Sequence, residues 1–232
     1  MKIRFFTTLF LILIFSFNTV YAETDITQLI NQDNSLSKDY IPDDLIVLEN
    51  IPTSREIKIS KKMNSDLQKM YQDIIDDDII DFYIVSGFRD FNHQESLFQD
   101  KIKENINKGY SEERAREEAS TVVAIPGTSE HQSGLALDFS ADGSLEDNFA
   151  NTSIGKWLKS NAHKYGFILR YPENKTDITK IIYEPWHFRY VGKELSQKLH
   201  EKELCLEEYY APTQNVKNKL SNILSILEVE NE

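Results

Sequence analysis

The sequence predicts a small α+β domain, with helices packed against a short antiparallel sheet. Three observations carry that expectation. Apolar residues recur at helical spacing over 60–75 (Met63, Leu67, Met70, Tyr71, Ile74) and over 153–165 (Ile154, Trp157, Leu158, Tyr165). Short runs rich in β-branched and aromatic residues lie between and after them, at 81–86, 135–140, 167–171 and 186–191. Strand and helix signals are thus intermixed, and the sequence shows neither an internal repeat nor a low-complexity block.

The elements follow in order. Lys2 and Arg4 precede an apolar run from Phe5 to Phe17, and Val20-Tyr21-Ala22 offers small residues where a signal peptidase reads. Residues 1–22 are therefore expected to be a signal peptide, because the Phe5–Phe17 run is shorter than the roughly 20 apolar residues of a comfortable span. No cysteine sits near the cleavage site, so a lipid anchor is not indicated. No stable membrane insertion is expected unless the leader stays uncleaved. Residues 23–40 are polar and read as a flexible lead-in, and a globular domain is expected over 41–210.

Within that domain a helix covers 60–75, and Asp81–Ser86 is a strand stopped by Gly87. The next helix should start near Asn92, with Glu95 three positions on as a capping box, and end around Gly109. Ser111 with Glu112 and Glu113 opens another, its acids placed where the helix dipole favours them. Pro126-Gly127 breaks that helix. The amphipathic helix over 153–165 closes at Gly166, and a last helix covers about 193–208. Residues 211–232 form a polar tail with a short amphipathic stretch (Leu220, Ile223, Leu224, Leu227).

Composition narrows the function. The chain has 232 residues, 40% of them hydrophobic, and a net charge of −12 that becomes −14 once Lys2 and Arg4 leave with the leader. Nucleic acid and anionic membranes need a basic patch, so neither is an expected partner. The one cysteine, Cys205, has no internal partner and reads as a small buried apolar residue on a helix.

Chemistry concentrates in two segments, Ser129-Glu130-His131-Gln132-Ser133-Gly134-Leu135-Ala136-Leu137-Asp138 and Glu184-Pro185-Trp186-His187. Strand alternation puts Leu135, Leu137 and Phe139 on one face and Asp138 on the other. The same rule separates Trp186, Phe188 and Tyr190 from His187 and Arg189. Asp138 and His187 can then project onto one surface, with His131 bent back by the turn before the strand. Two imidazoles and a carboxylate suit zinc better than calcium or magnesium, and leave a coordination position open for water. Glu184, three residues before His187, is placed to act as a base. Upstream, Arg89 follows a strand end and can reach a cleft, where its guanidinium fork pairs with a carboxylate or developing oxyanion. His93 reads as a surface or capping residue, and His163 and His200 as solvent-facing.

These residues resemble the VanY-type zinc D-Ala-D-Ala carboxypeptidases, a family related to L,D-carboxypeptidases and to the hedgehog-like fold. The resemblance rests on Ile84-Val85-Ser86-Gly87-Phe88-Arg89 with Gln94, on Pro126 through Asp138, and on Tyr165 through Pro172. It continues over Tyr183 through Gly192 and Leu206-Glu207-Glu208-Tyr209, spanning roughly residues 41–210. It implies His131, Asp138 and His187 as zinc ligands and Glu184 as catalytic base. It implies Arg89 as stabiliser of the transition state, with Gln94 and Ser129 contacting the substrate's C-terminal end. Ile125 stands where the family often has arginine, and Ile178 through Tyr183 replace a Thr-Gly-Tyr-like turn; both departures touch the cleft rather than the ligands.

The expected function is that of an exported, monomeric hydrolase, secreted or associated with the cell wall, that removes the terminal D-alanine from peptidoglycan stem peptides. Two rivals stand beside it. One is an L,D-carboxypeptidase acting on tetrapeptide stems, and the other a zinc-bearing wall-binding module without activity.

Overall fold

The computed structural model describes residues 25–145 and 148–212, so the expected leader over 1–22 and the tail beyond 212 lie outside the described residues. Strand β1 (Leu45–Val47) pairs antiparallel with β2 (Lys58–Ser60) in a two-stranded ribbon. Ser60 then caps α1 (Lys61–Asp76), accepting a hydrogen bond from the Lys62 amide. β3 (Tyr83–Ser86), α2 (Phe91–Asn107) and α3 (Glu112–Ser120) follow. The chain continues through β4 (Ala136–Ser140), α4 (Ser153–Asn161), β5 (Phe167–Leu169) and the one-turn α5 (Thr176–Thr179). β6 (His187–Tyr190) and α6 (Lys193–Glu201) follow. The main sheet has the order β3-β4-β6-β5, and every neighbouring pair is antiparallel.

Alternation sorts the sheet's two faces. Leu137 and Phe139 of β4 and Phe188 of β6 meet Met63, Leu67, Met70 and Ile74 of α1 in the main core, where all seven are buried. That apolar stripe is the face of α1 that the 3.6-residue period predicts. Asp138, His187 and Arg189 occupy the opposite face, which is also buried. A second core joins Ile168 and Val191 to α6 through Leu195 and Leu199. A third packs α2 on α3 through Phe98, Ile102, Ala115 and Ala119.

Four local expectations change. Helix α2 begins at Phe91 because the Asp90 carboxylate, not Asn92, accepts the His93 amide at 2.7 Å; a charged oxygen is the stronger cap. The helix expected over 153–165 tightens into a 3₁₀ turn at Ala162–Tyr165 before Gly166 ends it with φ +89°. The helix expected over 193–208 breaks after Glu201, where Glu203 takes φ 52°, and residues 206–212 are helical again. Cys205 therefore sits just ahead of a helix rather than on one. It is buried, its amide is bonded to Glu208 Oε2 at 2.9 Å, and burial pushes its thiol up to about 11.

The lead-in over 23–40 has the irregular backbone its composition predicts, but its described part is docked on the domain. Ile30 and Leu36 are buried, and the Leu36 amide bonds Gly127 O at 2.8 Å. Gln132 Nε2 donates to the carbonyls of Ser37 (2.9 Å) and Tyr40 (3.2 Å). Backbone carbonyls, which composition does not advertise, make the attachment.

Gly87 shows what the fold demands of single positions. A Cβ there would lie 2.6 Å from both Ile57 Cγ2 and Lys58 O, so the end of β3 can approach β2 only without a side chain. We expect Gly87→Ala to cost about 1–3 kcal/mol, the usual range for overpacking. Urea unfolding of the two proteins reads this directly, and equal midpoints would show that the ribbon yields freely.

Candidate metal and catalytic site

Asp138 on β4 and His187 on β6 are directly opposed partners in the ladder. Their side chains share the face turned away from the main core, and His187 Nδ1 lies 3.0 Å from Asp138 Oδ1. His131 arrives from the 3₁₀ turn Glu130–Ser133, which Gly134 ends with φ +69°. Its Nε2 lies 3.2 Å from Asp138 Oδ2. Its Nδ1 lies 2.7 Å from the Gly87 carbonyl. A carbonyl can only accept, so the proton sits on Nδ1 and the Nε2 lone pair faces Asp138.

One ligand atom from each of His131, Asp138 and His187 lies within 4.8 Å of the others, and all three residues are buried. Two imidazole nitrogens and a carboxylate converging in a buried space form a donor set that fits zinc, with one coordination position left for a non-protein ligand. Burial lowers His131 to about 4, Arg89 and His187 adding to the effect against Asp138, so this ring is neutral and able to ligate. Burial alone would raise Asp138, yet the two histidines hold it well below the usual carboxylate range. Burial would also lower His187, but its contacts with Asp138 and Glu130 outweigh that and raise it to about 9.

Around this set lies a cavity of about 420 Å³, to which Arg89, Gln94, Ser129 and Glu184 all contribute. Glu184 Oε2 is 3.9 Å from His187 Nδ1. A tight turn holds it there, with the His187 amide donating to Glu184 O and the Glu184 amide to Tyr171 O. Burial pushes the Glu184 carboxyl up to about 7, with Asp138 adding and His187 and Arg89 opposing. A divalent cation on the donor set would pull it back down. Arg89 is anchored by its amide to His131 O at 3.1 Å, and its Nε is buried with no protein acceptor. Gln94 donates through Nε2 to Ala124 O at 2.6 Å and leaves Oε1 buried and unpaired. Ser129 is buried at the N-cap position of the 3₁₀ turn without making a capping bond.

The structure thus brings together all seven residues singled out from the sequence. His93 is exposed at the start of α2, as expected. His163 and His200 differ from expectation in one respect: their rings stack face to face at 3.6 Å, leaving His163 half-buried. Sequence reasoning passed over the charged residues behind the site. Glu130 and Arg170 form a fully buried ion pair at 2.7 Å, and Arg189 reaches the same carboxylate at 3.0 Å. For Arg189 the signal was available, because a charge inside a strand of apolar neighbours must find a partner. Burial would raise Glu130, but Arg170 and Arg189 hold it far below the usual range. Tyr171 packs its ring 4.9 Å from that of His187.

Comparison with known proteins matches residues 56–193 to the VanY family, described as D-alanyl-D-alanine carboxypeptidase. A D-alanyl-D-alanine carboxypeptidase of Enterococcus faecalis is 38% identical over 181 residues, which cover 78% of this chain and 64% of that protein, just under two thirds of its length. Among solved structures, the LD-carboxypeptidase LdcB shares 36% identity with a TM-score of 0.71, covering 80% of this chain and 86% of its own. A mutant of the vancomycin-resistance D,D-pentapeptidase VanY in complex with Zn(II) shares 37% identity with a TM-score of 0.69, covering 81% and 99%.

The donor set carries one expected outcome. Purified protein should hold about one zinc per chain after dialysis against metal-free buffer. Asp138→Ala and His131→Ala should each lose it, as measured by elemental mass spectrometry. Stoichiometric zinc in both variants would place the metal elsewhere.

Proposed function

The chain belongs to the VanY family of D-alanyl-D-alanine carboxypeptidases, and on that basis we propose an exported, zinc-dependent hydrolase that removes the terminal D-alanine from peptidoglycan stem peptides. The observation that carries this reading is Glu184, a largely buried carboxylate 3.9 Å from a nitrogen of the His-Asp-His set and in one cavity with Arg89.

His131, Asp138 and His187 would hold the zinc. When bound, it supplies Lewis acidity toward a peptide carbonyl and toward water. Glu184 takes the proton from the attacking water, and the new carbon–oxygen bond forms as the carbonyl oxygen gains charge. Arg89, whose Nε has no protein acceptor, offers its fork to that charge. The carbon–nitrogen bond then breaks, and Glu184 returns the proton to the departing amine of D-alanine. Gln94 Oε1 is an acceptor and suits a substrate N–H, while the Ser129 hydroxyl can donate to the terminal carboxylate. Burial of Glu184 supports both proton steps, because a base serves best when its pKa lies near the working pH.

Export is supported by the basic and apolar pattern of residues 1–22, and the acidic net charge fits a partner other than nucleic acid. The likeness to LdcB favours a second reading, cleavage of tetrapeptide stems at the L,D bond. Ile181, within the segment that departs from the family pattern, lines the cavity and is a candidate for setting that choice. A non-catalytic wall-binding module would have no use for Glu184 and Arg89 side by side.

Two experiments test the proposal. Incubation with defined pentapeptide and tetrapeptide stems, followed by mass spectrometry, should show loss of one alanine from the pentapeptide only. Cleavage of the tetrapeptide alone would establish the L,D reading instead. Glu184→Ala should nearly abolish turnover with zinc still bound, and Arg89→Ala should slow it by about 10²–10³. Wild-type rates in Glu184→Ala would remove the base from the mechanism.

A further inference from the structure

We propose that Glu130 is the positioning residue for His187: its buried carboxylate accepts a hydrogen bond from the Nε2–H of that ring, fixing the tautomer that leaves Nδ1 open toward Asp138. The inference rests on the zinc reading above, and it concerns a residue to which that mechanism gives no role.

The two oxygens of Glu130 are used unequally. Oε1 accepts a hydrogen bond from Arg170 Nε at 2.7 Å, and Arg189 Nη1 lies 3.0 Å from it as an ion pair without hydrogen-bond geometry. Oε2 is buried and has no hydrogen-bond partner. On the other side of the gap, His187 Nε2 is also buried and without a partner. These two unused atoms face each other at 3.6 Å, slightly beyond hydrogen-bond length. Arg189 Nη1 is likewise buried without a hydrogen-bond partner but faces Oε1, so the sealed His187 donor and the unused Oε2 form a pair once the ring shifts by about half an ångström. With the proton on Nε2, the lone pair of His187 is confined to Nδ1, the atom 3.0 Å from Asp138. His131 uses the mirror arrangement, with Nδ1 committed to the Gly87 carbonyl and Nε2 left open.

Glu130 is itself held rigidly. Glu207 grips Arg170 through two hydrogen bonds, at 2.9 and 2.6 Å. Arg189 donates to the carbonyls of Ile26 (3.2 Å), Gln28 (3.0 Å) and Tyr190 (3.0 Å). The segment ahead of the domain and the helical residues after Cys205 thus converge, through two arginines, on the carboxylate behind one ligand. A charge so fixed cannot follow the ring, so the ring must orient to it.

The test starts with the intact zinc-loaded protein, labelled with ¹⁵N at histidine. Long-range proton–nitrogen correlation should find His187 protonated at Nε2 and His131 protonated at Nδ1. Zinc bound through Nε2 of His187 overturns this inference alone, whereas a chain that takes up no zinc overturns the metal reading as well. Glu130→Gln should then bind zinc about 10–100-fold more weakly in competition with a chromophoric chelator. Leu67→Ala, a core change remote from the relay, should lose stability and keep its zinc affinity. Equal affinity in Glu130→Gln and wild type would also contradict the proposal. If Glu130→Gln fails to fold, the tautomer measurement on the wild-type chain decides.

Discussion

Asp138 and His187 stand opposite one another in the antiparallel ladder between β4 and β6, and from that pairing most of the site follows. A slip of one residue in this register would turn Asp138 into the core and Leu137 or Phe139 out of it. The apolar contacts of Leu137, Phe139 and Phe188 with α1 therefore hold the register, and the register holds the candidate metal donors Asp138 and His187. His131 needs only the 3₁₀ turn before β4 to reach the same carboxylate. Glu184 needs only the turn before β6 to stand beside His187.

Burying this much charge is costly unless each group is paired. The site spreads its charges over two layers, with Arg89 Nε left without a protein acceptor at the cavity. Facing the cavity, Asp138 lies between two imidazoles, with Arg89 and Glu184 beside them. Behind them, Glu130 lies between Arg170 and Arg189, and Arg170 also meets Glu207. His187 stands at the boundary and touches both layers. The rear layer lies behind the cavity, and the proposed Glu130 contact would let it determine where the His187 ring points.

Much of this was legible in the sequence, for reasons that can be named. The period of α1 and the alternation in β4 and β6 are direct signatures of which side is buried, so Asp138 and His187 were placed correctly on the outer face. Arg89 was picked out by its place at a strand end, Gln94 and Ser129 by the family resemblance, and all three line the cavity. The cap of α2 was misplaced by two residues because Asp90 and Asn92 are both good caps and only geometry separates them. The docking of residues 26–37 was invisible, since its anchors are backbone carbonyls. Glu130, Arg170, Arg189 and Glu207 were in plain view as charges, but their pairing is long-range and no spacing rule encodes it.

A diffraction measurement tests the central claim most directly. Crystals of the zinc-loaded protein, recorded on both sides of the zinc absorption edge, should give one anomalous peak bounded by His131 Nε2, Asp138 and His187 Nδ1, at about 2.0–2.2 Å from each. A peak at any other group of side chains, or none in active protein, would contradict the account.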